Sequence, residues 1–342
     1  MLNRTHAQTT CPMAPPVGRG TALRRRALLT LPSLAAPGLA RAQTFPDRPI
    51  RVLVGFTPGG SIDMIVRTIS PKMTEVLGQS IVVENRPGAG GFVAMEALTR
   101  SAPDGHTLKL GTVGSMIVQP ILVKDLPYDV RTDVVPVSMT ADVANVLVVH
   151  PGRPWRAVAE LVEAAKARPG ELTWAHSGVG TSGFLSAFLL DRRAGIQTTG
   201  IAYRGAAPMA TDLLAGRVDY GFATSASVIN HVLEGRLRPL AVSSPARQPW
   251  FAGVPTMGEA GVSGFQATNW TGLVAPRGTP RAAIDRIDAA CRAALRDPAT
   301  VAAMASGALV PIIAGPEEFA ALWEEDRRRW EPFVRATGAT AN

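Results

Sequence analysis

Short apolar runs alternate along this chain with stretches that repeat apolar residues every three or four positions. The first run, Ile50–Val54, reads as a buried parallel strand. Pro58, Gly59 and Gly60 turn the chain, and Ser61 is placed to cap a helix. Ile62, Ile65 and Ile69 lay an apolar stripe on that helix, which runs from 62 to about 77 with a kink or break at Pro71. Residues 79–84 predict a second strand, 85–91 a second glycine-rich turn, 92–101 a helix, and 107–112 a third strand with Gly114 and Ser115 at its end. This alternation predicts parallel βαβ units in a doubly wound α/β sheet. Ligands in such sheets bind beyond the carboxyl ends of the strands, where Gly59-Gly60-Ser61 and Gly114-Ser115 both stand.

The second half repeats the device. Apolar runs at 134–139 and 143–149 are followed by a helix over 154–168 that Pro169-Gly170 stops. A strand at 172–175 enters a turn of glycines and hydroxyls at 176–183, and a helix follows over 184–193. Two such turns, one in each half, predict two facing anion sites around one cleft. Strands at 199–203, 218–223 and 237–243 alternate with helices at 207–215 and 227–234. The chain should cross between domains near Ala144 and again between 265 and 270. Thr279 and Pro280 open a long helix whose buried face carries Ile284, Ile287, Cys291 and Leu295. The last helix, 316 to about 335, turns Phe319, Leu322, Trp323, Trp330 and Phe333 inward; Glu324-Glu325-Asp326 and Arg327-Arg328-Arg329 form its solvated face.

A glycine turn leading into a helix N-terminus gathers free N–H groups and the positive end of the helix dipole. Such a spot suits a carboxylate as much as a phosphate. The stretch 52–63 is neither GxGxxG nor a phosphate loop with Lys after its second Gly, so a nucleotide is the weaker guess. The alternative is a plain β–α turn with no ligand. Asp63, one turn into the helix, either complements the helix dipole or meets the ligand.

Charge changes the picture only by its distribution. The 342 residues carry a formal charge of +8, but residues 1–42 hold six Arg and no acid, leaving 29 bases against 27 acids beyond them. The basic balance therefore belongs to the leader and does not argue for nucleic acid. That leader reads as an export signal, with Arg24-Arg25-Arg26, an apolar stretch to Leu39 and an A-x-A site at Ala40-Arg41-Ala42. Both the general and the twin-arginine routes fit it. Cys11 lies in the leader, so Cys291 stands alone as a packed thiol. Beyond the leader His106, His150, His176 and His231 have no ligand spacing, and neither CxxC nor GxSxG occurs, so no metal, cofactor or nucleophilic constellation is expected. His176 and Ser177 are neighbours on a strand and point to opposite faces.

Seven motifs in order resemble one family. They are Phe56-Thr57-Pro58-Gly59-Gly60-Ser61-Ile62-Asp63 with Arg67; Val83-Glu84-Asn85-Arg86-Pro87-Gly88-Ala89-Gly90-Gly91; Pro103-Asp104-Gly105-His106-Thr107-Leu108; Ser177-Gly178-Val179-Gly180-Thr181; Tyr203-Arg204-Gly205; Val254-Pro255-Thr256-Met257 with Glu259-Ala260-Gly261; and Trp270-Thr271-Gly272-Leu273-Val274-Ala275-Pro276. Over about 46–338 the chain resembles the Bug family, the periplasmic substrate-binding proteins of the tripartite tricarboxylate transporter group. The resemblance implies an α/β, two-lobed periplasmic-binding-protein (Venus-flytrap) fold, with two doubly wound domains joined by two crossing strands: 43–143 plus 269–342, and 144–268. It implies a small organic carboxylate held between the two glycine turns, with waters bridging it to the first domain. Carried over by position, the ligand contacts are Phe56, Thr57, Pro58, Gly59, Gly60, Ser61, Asp63, Gly114, Ser115, Ser177, Gly178, Val179, Gly180, Thr181, Tyr203 and Ala223. Ala223 follows Phe222 where the family often has an acid, which disfavours an amino-acid ligand and favours a plain or aromatic acid. Arg204 replaces the family's usual Lys and keeps its charge with another geometry, on the surface, at the hinge or at the ligand.

The expectation is a periplasmic solute receptor, monomeric, that delivers a carboxylate to membrane permease subunits, with no cofactor, metal or nucleic acid. An exported α/β hydrolase-type enzyme acting through Asp63 or Ser61, and an orphan receptor feeding a sensor, are the other readings.

Overall fold

Strand β1 (Ile50–Val54) is buried at four of its five positions and pairs in parallel with β2 (Ile81–Asn85) and β3 (Thr107–Thr112). It lies in a computed structural model that describes residues 45–336 apart from 266 and 268. The leader expected at 1–42 lies outside the described residues. Helix α1 (Ser61–Leu77) links β1 to β2, and α2 (Phe92–Thr99) links β2 to β3. A five-residue π-helical segment, Gly114–Val118, follows β3, and the short helices α3 (Gln119–Leu122) and α4 (Val130–Asp133) lead to β4 (Val134–Asp142). The chain then builds β5 (Asn145–Val149), α5 (Val158–Ala167), β6 (Thr173–His176), α6 (Ser182–Ala194), β7 (Thr199–Ala202), α7 (Ala206–Leu214), β8 (Tyr220–Thr224), α8 (Ser225–Leu233) and β9 (Arg238–Val242). It returns through β10 (Trp270–Pro276), α9 (Arg281–Arg296), α10 (Pro298–Ser306), β11 (Val310–Pro311) and α11 (Pro316–Ala336).

Two sheets result, ordered β11-β4-β10-β3-β1-β2 and β7-β6-β8-β5-β9, each the centre of one lobe. The sheets are mixed rather than purely parallel. β10 runs antiparallel to β3 and β4, and β5 antiparallel to β8 and β9, because these strands sit where the chain passes between the lobes. The two passages lie side by side. Val143 N donates to Asn269 O at 3.1 Å, Ser243 N to Asn145 O at 2.8 Å, and Ser243 Oγ to Ala267 O at 2.9 Å.

In the first lobe α1 buries Ile65, Val66, Ile69 and Met73 with α9's Ile284, Ile287 and Cys291 on one face of the sheet. On the other face α2, Met116 and α11's Phe319, Trp323 and Trp330 close the core. Each fully buried aliphatic side chain contributes about 1.5–3 kcal/mol, so the stripe on α1 holds the turn before it in place.

Three local expectations change. Helix α1 runs through Pro71 without a break; the proline replaces a donor near Arg67 while Ser70 Oγ, one residue earlier, donates to Val66 O at 2.6 Å. Pro280, not Thr279, stands at the cap position of α9, since Thr279 Oγ1 is engaged by Pro276 O at 2.8 Å. Asp326 is buried rather than solvated, because it accepts the indole N–H of Trp270 at 2.7 Å.

Candidate functional site

The turn after β1 is built by Asp63. Its carboxylate accepts Gly59 N at 2.9 Å, Arg67 Nε at 2.8 Å and Asn85 Nδ2 at 2.8 Å, and the same amide of Asn85 donates to Phe56 O at 3.1 Å. Three side chains from two elements, Asp63 and Arg67 of α1 and Asn85 of β2, thus fix the backbone from Phe56 to Gly60. Burial pushes the Asp63 carboxyl up, but Arg67, the Gly59 N–H and Asn85 outweigh it and hold it below the usual carboxylate range. A carboxylate depressed in the folded state contributes stability above the unfolded value near 4, and that contribution is lost as pH falls through the folded value. Asp63→Ala should therefore cost about 2 kcal/mol in urea unfolding at neutral pH, after discounting the half-exposed Arg67. The difference from wild type should shrink below about pH 4. An equal deficit at pH 3 and pH 7 would show that the charge is not what holds the turn.

Gly60, not Ser61, occupies the N-cap of α1. Ser61 is the first helical residue, and its hydroxyl donates instead to Thr224 Oγ1 at 3.1 Å, on the other lobe. A second bond across the cleft runs from Gln119 Nε2 to Val179 O at 2.6 Å, and a third from Ser225 Oγ to Ala308 O at 2.8 Å.

Between the lobes lies a cavity whose space, with the solvent at its mouth, is about 510 Å³. Helix starts converge on it: Gly60, Ser61 and Ile62 from α1, Thr181 and Ser182 from α6, Ala206 from α7, and Thr224 from the cap of α8. Phe56, Thr57, Thr112, Gly114, Ser177 and Asn269 complete the lining. No ionisable side chain is among these residues. The polar groups are hydroxyls, one amide and the first-turn N–H groups of four helices, which have no partners inside their own helices. Ser225 N is already taken by Ala144 O at 2.8 Å and Phe184 N by Thr181 Oγ1 at 3.4 Å, but four helix N-termini with their remaining first-turn donors make a positive potential with no fixed charge, a setting that favours a small anion. A wider outer space continues from it, lined by Gly55, Phe56, Thr57, Pro87, Gly88, Gly90 and Gln119 from the first lobe and by Ser177, Gly178, Val179 and the segment 202–205 from the second.

Of the residues singled out in the sequence, Phe56, Thr57, Gly60, Ser61, Gly114, Ser177 and Thr181 line the inner cavity, and Gly178, Val179 and Tyr203 line the outer space. Pro58 and Gly59 stand at the exposed tip of the turn. Gly180 is buried, packed against Gln119. Asp63, Ser115 and Ala223 lie behind the wall. Asp63 holds the turn, Ser115 is buried beneath Gly114, and Ala223 pairs with Val146 inside the second sheet. His176 does point away from Ser177, into rings formed by Trp174 and Phe184, and burial pushes its imidazole pKa down. Thr112, Ser182, Ala206, Thr224 and Asn269 were not singled out. A glycine-hydroxyl turn before a helix signals the α6 site, but the α7 and α8 starts carry no such signal.

A family model described as the tripartite tricarboxylate transporter family receptor matches residues 65–339. Protein BugT of Bordetella pertussis is 38% identical over 307 residues, covering 90% of this chain and 94% of that protein. A Rhodopseudomonas palustris protein solved with adipate has a TM-score of 0.83 and 32% identity, covering 86% of this chain and 99% of its own. MatC from the same organism, solved with bound malate, has a TM-score of 0.80 and 32% identity, covering 85% and 100%. The matching family is one of solute-binding receptors rather than enzymes, and no helix among the described residues is long and apolar enough to cross a membrane. The chain belongs to the receptor family of the tripartite tricarboxylate transporters, the TctC or Bug proteins.

Proposed function

We propose that this receptor captures a small organic carboxylate in the cleft between its lobes and delivers it to membrane permease subunits from the periplasm. The convergence of four helix N-termini on a cavity without an ionisable side chain carries the reading. Backbone N–H groups of α1 and α6 take the carboxylate oxygens as charge-assisted hydrogen bonds. Closure then brings Ser61 to Thr224 and Gln119 to Val179 and shuts out bulk water. The moving bodies are residues 43–143 with 269–342, and residues 144–268; the paired crossings near Val143 and Asn269 act as the hinge, and the receptor works as a monomer. The malate and adipate seen in the two R. palustris neighbours support a carboxylate as the ligand class.

A thermal-shift panel of mono-, di- and tricarboxylates, aromatic acids and amino acids tests this reading, because a ligand of the native state alone must raise the melting temperature. A shift with one acid class supports it. No shift with any acid, from protein shown by mass spectrometry to carry no trapped ligand, contradicts it. Arg204 lines the outer space, exposed to solvent, and is placed to meet the far carboxylate of a longer diacid. Arg204→Ala should weaken a dicarboxylate about threefold, the scale of an exposed ion pair, and leave a monocarboxylate unchanged. Equal losses for both would place Arg204 in the hinge instead.

A further inference from the structure

Lys109 stands in the middle of β3 with 0% of its surface exposed, and among the described residues it is the only buried Lys or Arg. No carboxylate forms an ion pair with it among those residues. Its Nζ donates to Leu110 O at 3.0 Å and to Ser115 Oγ at 2.9 Å. Ser115 Oγ in turn lies 3.4 Å from Thr112 Oγ1, and Ser115 N donates to that same Thr112 oxygen at 3.2 Å. Thr112 and Gly114 line the inner cavity. A file of two hydroxyls therefore runs from the cavity wall to a buried amine. The amine lies close behind the wall: a Cβ on Gly91 would sit 4.0 Å from Lys109 Nζ and 3.8 Å from the ring of Phe56.

The elements packed against β3 bring no charge to this amine. Strand β10 and the segment Gly114–Val118 carry no titratable side chain. Strand β1 carries Arg51, half-exposed and paired with Glu84, and α2 carries Glu96, paired with Arg100. An unpaired ammonium in such a place is costly, while a neutral amine satisfies both of its acceptors there.

We propose that Lys109 is the counter-charge of the receptor's ligand, acting through Ser115 and Thr112, and that capture of a carboxylate brings one proton from solvent onto its amine. The assignment rests on the carboxylate reading above. It accounts for a cavity that binds an anion with no cation in its lining. Above about pH 7 the empty receptor keeps a neutral amine bonded to Leu110 O and Ser115 Oγ; the ligand's negative charge restores the ammonium, whose field then favours the fully ionised acid. Burial alone pulls the amine down to about 7, which places the exchange within reach of ordinary buffers. Above pH 7 the empty protein lacks the proton that the complex holds, so affinity falls as pH rises, by up to about tenfold per unit. Lys109 is a positioning and electrostatic residue, since hydroxyls stand between it and the cavity.

The test is calorimetric titration of the full chain with adipate and with malate, at pH 6.5 and pH 8, in buffers of different ionisation enthalpy. We expect close to one proton taken up per ligand at pH 8 and little at pH 6.5. Lys109→Met should melt no lower than wild type, bind at least tenfold more weakly at pH 6.5, take up no proton, and lose its pH dependence. The chain has four lysines (Lys72, Lys109, Lys124 and Lys166), so the 13Cε resonance of Lys109 can be followed directly. It should titrate near neutrality in the empty protein and not in the complex. Binding without proton exchange overturns the role of Lys109 and leaves the receptor reading standing. No binding by either of these acids or any other carboxylate overturns both.

Discussion

Gly60→Val will abolish ligand binding and leave the protein folded. Gly60 caps α1 with φ −79° and ψ 166°, an extended conformation that valine adopts without strain, and a Cβ there meets only Thr57 O at 3.6 Å. The backbone therefore accepts the substitution, at a cost of about 1 kcal/mol for a poorer cap. The isopropyl group would occupy the space in which an anion approaches the first turn of α1. Two charge-assisted hydrogen bonds lost at about 1.5–3 kcal/mol each correspond to a loss of more than a hundredfold in affinity. Melting temperature without ligand and titration with the best acid of the panel read the two effects separately. Retained affinity in a folded Gly60→Val protein would remove α1 from the site.

The second large effect is expected at Gly114, and it separates binding from closure. A Cβ at Gly114 would stand 2.7 Å from Gly180 O, a backbone atom of the opposite lobe that cannot swing aside. Within its own lobe the nearest atom is the Thr112 hydroxyl at 3.4 Å. Gly114→Ala should therefore fold normally and fail to bring the lobes together. We expect at least a tenfold loss of affinity, carried mainly by faster release, because a ligand in an open cleft keeps only one wall. Small-angle scattering should give the variant one radius of gyration with and without ligand, while the wild type contracts. A Gly114→Ala protein that still contracts would show that the close approach of the two glycine turns is not part of closure.

The units of the fold were legible because they are local. Ile50–Val54 with the stripe of Ile62, Ile65 and Ile69 specifies a strand and a helix from spacing alone, and the turn between them follows from Pro58 and the glycines. What spacing cannot carry is the partner of a polar group. Ser61 reads as a cap in isolation, yet its hydroxyl is bonded to Thr224, 163 residues away. Asp326 reads as one more charge on a solvated face, yet an indole 56 residues away takes it into the core. Lys109 stands inside the strand sequence TLKLGT, which says nothing of what covers its side chain. It is buried because α2 and the segment Gly114–Val118 cover that face of the sheet, which no pattern within the strand announces.

The candidate site divides the same way. Its two glycine turns were legible as strand-turn-helix devices with an anion-binding physics of their own. The contributions of Ala206, Thr224 and Asn269 arise only when two sheets are set face to face. Asp63 illustrates the middle case: its position marked it as part of the site, and its bonds to Gly59, Arg67 and Asn85 make it the brace of the turn.

The ligand's carboxylate is proposed to sit on helix-start N–H groups. Titration of 15N-labelled protein with adipate or malate, followed by amide chemical shifts, reads those groups one by one. Large downfield amide-proton shifts are expected at Gly60, Ser61 and Ser182, saturating together with the calorimetric isotherm. Saturable binding that leaves those three amides in place would contradict that placement.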